Sequence, residues 1–517
     1  MISELFQTMH KARFSGIRIV PENSPSLQQS CVRAFVESVR NAKQGDSERR
    51  LMELQFLPAP LLTPILDRMC RYPELRDMLR DELTDPVVFM KLFNGYVPDY
   101  DTLEKCLREA AHACGRPAVL RDLAKNYCDM LRTELQLHKG ETQNQSRIRA
   151  RVLESLRFGD YLYEAGWCRC GAEVLTLTNE LIALLLQPGR ALQMECLVRL
   201  LRAQIGACLT SRAALTVQRL LTFVEMPAGE SGAPALPLVK AYLQLGSYYY
   251  HVQDYDRCHQ WALRALASAA DGDAPAKGDV IDVLQLIALF CIAKERHDLG
   301  NMLISQAVQR ARTVYGSLHR KYADVLQQYG FVLLRMNAIL PAITAFTECL
   351  DITGRVYGLL SPHAVVLEGY LAHCLYLRSH TTGRFDMALQ HAETALDLAR
   401  QLMPTSRRVH QQLEHTRDII LRGPDSRRDT KESQPSRERD FHSFSLREIK
   451  EKFFELDSSF ERDGLACSGL DVTSSLGKGR YERHRKWKKK LFRESNNFFR
   501  ADSIVLITGR RTGATEL

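Results

Sequence analysis

Long apolar runs are what this 517-residue chain lacks first: Leu181 to Leu186 stops short of Pro188 and Gly189, where a membrane-spanning helix needs roughly 20 apolar residues. Membrane insertion is not expected. The segment Met1 to Val20 interrupts its apolar residues with Lys11, Arg13 and Arg18 and has no continuous apolar core of a signal peptide, so secretion is not expected either. The chain has no phosphate-binding loop, no Gly-x-Ser-x-Gly elbow and no His-Glu-x-x-His, and Gly477-Lys478-Gly479 lacks a strand and helix around it. The expectation is a protein without catalytic residues and without a cofactor.

Metal-ligand spacing is also missing. The 14 cysteines are scattered along helical stripes (Cys106, Cys128, Cys196, Cys291, Cys374), and the close pair Cys168 and Cys170 has no second pair to complete a zinc site. His410 and His415 lie five residues apart, a spacing that splays them around a helix. The expected reading is thiols packed in a core, in a reducing compartment, two surface histidines and no metal. The net charge of +9 is not spread along the chain. Between Lys478 and Arg493 nine Lys or Arg residues face the single acid Glu482. That basic run sits in a polar segment without repeats and reads as a solvated, low-order tail over 422–517, not a nucleic-acid site.

What the chain does have is a repeat. Gly246, Ala288, Gly330 and Ala372 follow one another at steps of 42 residues, and a fixed period of this length marks a solenoid. Another small residue, Cys258, Gly300 or Ala342, follows twelve residues after each of the first three, and Ala388 serves the fourth. Small residues at these points let two helices cross closely. An earlier unit starts at Gly159 with Gly166, Trp167, Gly171 and Leu175 in register, and a degenerate one runs from Glu195 to Leu221. Trp167, Tyr249, Tyr255 and Phe346 are expected in the core, because a repeat buries its faces only against its neighbours. The fold class is therefore all-α: a tetratricopeptide-repeat superhelix over 145–421, preceded by a flexible terminus over 1–25 and a helical docking region over 26–140.

Two segments of that docking region carry partner-binding patterns. Leu27, Cys31 and Phe35 fall at i, i+4 and i+8, one helical face, after a Pro25-Ser26 start. Leu57-Pro58-x-x-Leu61 opens a second apolar helix running through Ile65, Leu66 and Met69. On the repeats, the first helix of each unit is expected to line the hollow side and to present Asp160, Glu164, Tyr250, His251, Asp282, Asp324, Gln327 and His373. The carboxylates suit the guanidinium of an arginine-bearing peptide; the peptide-binding candidates are Asp160, Glu164, Tyr250, Asp282, Asp324 and Gln327.

The order of the two segments resembles the elongin-binding box and cullin box of substrate receptors that dock on cullin-2 ubiquitin ligases. With Tyr315-Gly316-Ser317-x-His319-x-Lys321-Tyr322 and Gly383-x-Phe385-Asp386-x-Ala388-Leu389-x-His391-Ala392-Glu393, the region Ser26 to Leu421 is similar to the amyloid protein-binding protein 2 family, and its 42-residue units also resemble kinesin light chain repeats. The resemblance implies that Leu27, Cys31 and Phe35 bind elongin B/C, that Leu57, Pro58 and Leu61 contact cullin-2, and that the repeats hold carboxy-terminal degron peptides. It implies a cytoplasmic and nuclear adaptor. A rival reading is a microtubule-associated cargo adaptor, kinesin-light-chain-like, that binds the cytoplasmic tail of a membrane protein. The first 25 residues do not match the family, and after about Leu421 its further repeats are absent; Gly423 to Leu517 is expected to come from a truncated or alternative product or from a mispredicted exon.

Overall fold

The structure, a computed structural model, describes residues 26–41, 54–94, 100–113, 115–137, 145–225, 238–271 and 277–422. The terminus over 1–25, the tail from 423 onward and its basic run lie outside the described residues. Among the described residues every regular element is helical. Six helices form the amino-terminal region: α1 (Leu27–Asn41), α2 (Ala59–Met69), α3 (Arg76–Thr84), α4 (Pro86–Phe93), α5 (Tyr100–Ala111) and α6 (Val119–Leu137). Helix pairs follow as α7 (Gln145–Glu164) with α8 (Cys168–Ala183), α9 (Arg190–Gly206) with α10 (Thr210–Glu225), and α11 (Leu238–His251) with α12 (Tyr255–Asp271). Three more are α13 (Lys277–Ala293) with α14 (His297–Tyr315), α15 (Arg320–Arg335) with α16 (Ile339–Val356), and α17 (Pro362–Thr382) with α18 (Asp386–Leu402), before a last helix α19 (Arg407–Leu421). No described helix is long and apolar enough to cross a membrane. An apolar run longer than Leu181–Leu186, Leu286 to Ala293, lies in α13 and packs into the repeat core.

The 42-residue markers sit where the two helices of a pair cross. A Cβ on Gly330 would lie 2.7 Å from the Phe346 ring, one on Gly159 2.6 Å from Leu175, and one on Gly300 2.7 Å from Ile292 and 3.1 Å from the Ala288 carbonyl oxygen. Absent side chains thus set the interhelical distance. Trp167, Tyr249 and Phe346 are buried, and Tyr255 packs half-buried against the same core. Cys106, Cys128, Cys196, Cys291 and Cys374 are buried thiols within helices, whereas His415 is exposed and His410 half-buried.

The turn inside each of the first five pairs has a period of its own. Gly166, Cys208, Gln253, Glu295 and Asn337 all have positive φ (85°, 54°, 65°, 62° and 63°). At each, the next amide donates to a carbonyl five residues back: Trp167 to Leu162, Leu209 to Gln204, Asp254 to Tyr249, Arg296 to Cys291 and Ala338 to Leu333, at 2.8 to 2.9 Å. These are helix-ending Schellman turns. Only the first carries glycine, the residue that adopts this backbone without Cβ strain. Replacing the exposed Glu295 by glycine is therefore expected to stabilise the chain, by about 0.5–1 kcal/mol, read as a higher midpoint in urea unfolding; an unchanged or lower midpoint contradicts it.

The solenoid does not run open from end to end. One contiguous core joins the amino-terminal helices and the first repeats to Val365 of α17, Ala395, Leu396, Ala399 and Leu402 of α18, and Val409 and Leu413 of α19. The amino-terminal region is thus continuous with the repeats, and the last repeats return to it. Polar contacts close the same seam. Arg108 of α5 donates to the carbonyls of Arg355 and Val356 at the end of α16 (2.5 and 2.9 Å), where a cation meets the negative end of a helix. His363 Nε2 lies 2.9 Å from the Glu164 carbonyl, and Gly166 abuts Pro362 and His363.

Candidate functional site

The first candidate surface begins with a helix cap. Ser26 Oγ accepts from the Gln29 amide (3.1 Å) and Gln29 Oε1 accepts from the Ser26 amide (2.9 Å), a reciprocal capping box that fixes the start of α1. The Ser-x-x-Gln spacing was visible in the sequence. α1 buries Val36 and Val39 against α2, leaving Leu27 64% exposed and Cys31 exposed, while Phe35 is half-buried at the edge of the core. The three residues predicted to share a face do so, with the first two turned outward. In the second segment Pro58 is extended (φ −70°, ψ 153°) and starts α2. Pro58 is exposed, Leu61 is 42% exposed, Leu57 is half-buried with its carbonyl accepting from Lys91 (3.3 Å), and the neighbouring Phe56 is 84% exposed.

The second candidate surface is the line of first helices, α7, α9, α11, α13 and α15, which lie side by side. Here the structure corrects part of the sequence reading. Tyr250, Gln327 and His373 are buried, not presented to a ligand. Tyr250 stands four residues after Gly246 and Gln327 three before Gly330, so each shares the packed face of its marker. Burial drives the Tyr250 hydroxyl up and the His373 imidazole down to about 4, holding both neutral at pH 7. His251 is half-buried.

The acids are placed differently again. Asp160 accepts from Arg199 Nε (2.5 Å), Glu164 pairs with Arg320 (2.9 Å), and Asp282 lies 3.9 Å from Lys321 Nζ. Arg202, whose guanidinium stacks 4.3 Å over Tyr163, is opposed by burial, yet Tyr163, Asp282, Glu164 and Asp160 outweigh this and raise its pKa. Three acids expected to wait for a guanidinium thus surround the chain's own. Arg199, Arg202 and Arg320 are the residues that sequence reasoning missed. The available signal was Arg199 and Arg202 at i, i+3 on one face of α9. Asp324, which occupies in α15 the position that Asp282 occupies in α13, is exposed. Its carboxylate lies near enough to act on His363 and Tyr163. The result is a surface carrying both signs, with cations at Arg199, Arg202, Arg320 and Lys321. Among the described residues no group of His, Cys, Asp and Glu could hold a metal ion.

No family model matches the chain. Over 266 residues, 51% of this chain, it is 29% identical to amyloid protein-binding protein 2 of Rattus norvegicus, and to that of Mus musculus by the same measure. The match spans 44% of the length of these curated relatives. Among solved structures, the crystal structure of BtubC (BKLC) from P. vanneervenii is 12% identical, with 55% of this chain and 96% of that chain covered at a TM-score of 0.32.

Proposed function

We propose that this relative of amyloid protein-binding protein 2 is an adaptor, the substrate-recognition subunit of a cullin-2, elongin B and elongin C ubiquitin ligase. The observation that carries the reading is the outward-facing Leu27 and Cys31 on a capped helix, followed by the exposed Pro58 and Leu61 at the start of the next. A branched apolar side chain held at 64% exposure on a capped helix is suited to insert into a partner's pocket. The peptide end of a substrate is received on the first-helix surface. Its terminal carboxylate suits Arg202, and a basic side chain suits the exposed Asp324. The chain performs no chemistry itself; it raises the effective concentration of substrate at the ligase. A cytoplasmic and nuclear location goes with this role.

Co-purification of the full chain with elongin B/C tests the proposal. The wild type is expected to retain the pair and Leu27→Asp to lose it, with the helical circular dichroism spectrum unchanged because Leu27 contributes nothing to the core. Equal recovery by both proteins refutes the elongin role of Leu27. Binding of microtubules or of a membrane protein's cytoplasmic tail, without elongin, favours the cargo-adaptor reading instead.

A further inference from the structure

Cys70, at the carboxy-terminal end of α2, and Cys106, in α5, bring their sulfurs to 3.4 Å although they are 36 residues apart. Ion pairs to α5 flank this contact. Asp67, one turn before Cys70, pairs with Lys105 (2.5 Å), and Arg76 of the following helix α3 pairs with Glu109 on α5 (2.8 Å). The thiols are not equivalent. Cys70 is 8% exposed and Cys106 1%, so a molecule the size of peroxide meets Cys70 first. We propose that Cys70 and Cys106 form an oxidisable dithiol, a modification site at which hydrogen peroxide is reduced to water and a disulfide staples α2 to α5.

The environment divides the roles. The hydrogen-bonded contact with Cys106 lowers the Cys70 thiol; burial opposes this and Lys105 reinforces it, while Cys106 is pushed up by the same contact and by burial. Cys70, the sulfur nearer solvent, is therefore the one that attacks, after giving its proton to solvent, and Cys106 resolves. In the first step the Cys70 sulfur attacks one peroxide oxygen. An S–O bond forms, the O–O bond breaks, and the departing hydroxide takes a proton from solvent and leaves as water. The product is a sulfenic acid on Cys70. In the second step the Cys106 sulfur attacks the Cys70 sulfur. The S–S bond forms, the S–O bond breaks, and the hydroxide leaves as a second water with the Cys106 proton. Two thiols lose one electron each and one peroxide gains two. The bridge fixes α2, the helix that carries Leu61, at the end opposite that residue, and does not depend on the ligase reading.

Peptide mapping tests this in the intact full chain. After stoichiometric hydrogen peroxide and blocking of remaining thiols with N-ethylmaleimide, a linked peptide containing Cys70 and Cys106 is expected. It should lack two hydrogens relative to the reduced pair and disappear on dithiothreitol treatment. The oxidised chain should melt at a higher temperature than the reduced one. In Cys106→Ser the reaction should stop at a Cys70 sulfenic acid that dimedone traps. Maleimide on both Cys70 and Cys106 after other cysteines have oxidised overturns the proposal, as does Cys70 joined to a different cysteine. Because the linked peptide is sought in the wild type, a Cys106→Ser variant that fails to fold leaves the test intact.

Discussion

Glu104→Gln is expected to stabilise the chain at pH 8 by about 3 kcal/mol and to have little effect near pH 4.5. Glu104 lies on α5, 8% exposed, in the seam where the amino-terminal region meets the returning repeats. It lines a small cavity of about 30 Å³ with Tyr161, Trp167, Tyr357 and Ser361. Burial raises its carboxyl from the ordinary 4.5 to about 7; Arg320 and Arg108 pull it back, while Asp101 and Glu164 push it further up. A carboxyl whose folded pKa lies above its unfolded one favours folding in the protonated form. The benefit is full below about pH 4.5 and is lost as pH rises through about 7, where the buried group must ionise. Glutamine keeps the shape of the protonated acid and never ionises. Urea unfolding of both proteins at pH 5 and pH 8 measures the difference, expected below about 1 kcal/mol at the lower pH and about threefold larger at the higher. Equal differences at both values contradict the assignment, and a destabilised variant at pH 8 places an ionised Glu104 in a favourable pair with Arg320.

The seam also marks the limit of what sequence could reveal. Helix pairs were legible because close crossing demands small residues, and Gly246, Ala288, Gly330 and Ala372 repeat that demand at a constant period. Closure was not, because Arg108 meets the Arg355 and Val356 carbonyls across nearly 250 residues, and a backbone acceptor leaves no trace in side-chain identity. On the first-helix surface, acids were legible as acids, but occupancy depends on which cations the superhelical path brings opposite them. Arg320 reaches Glu164 from four repeats away. Tyr250 and Gln327 were misplaced for a local reason: counting three or four residues from a marker returns to the face the marker buries. The outward turn of Leu27 follows from the Ser26–Gln29 cap and from the alternative apolar face, Val36 and Val39, that α1 has available for burial.

The opposing surfaces at Gly330 and Phe346 give the other large effect. Phe346 is fully buried and lies parallel to Tyr370 of α17, with ring centroids 4.7 Å apart and planes 1° apart, while its other edge fills the space left by Gly330. Phe346→Ala should cost about 3–5 kcal/mol through the cavity it leaves between three helices. Gly330→Ala sets two opposed effects against each other. Alanine within a helix gains about 1 kcal/mol in propensity, but its Cβ would stand 2.7 Å from a ring that Tyr370 prevents from retreating, an overpacking cost of about 1–3 kcal/mol. The clash wins, and the variant is expected to lose up to about 2 kcal/mol. In a Phe346→Leu background the ring edge is gone, so the same substitution should become stabilising by about 0.5–1 kcal/mol. That reversal of sign, measured by a double-mutant cycle in urea, isolates the contact from the general cost of altering a core. A Gly330→Ala penalty that is identical in both backgrounds would mean that backbone conformation, not the aromatic ring, requires glycine at the crossing.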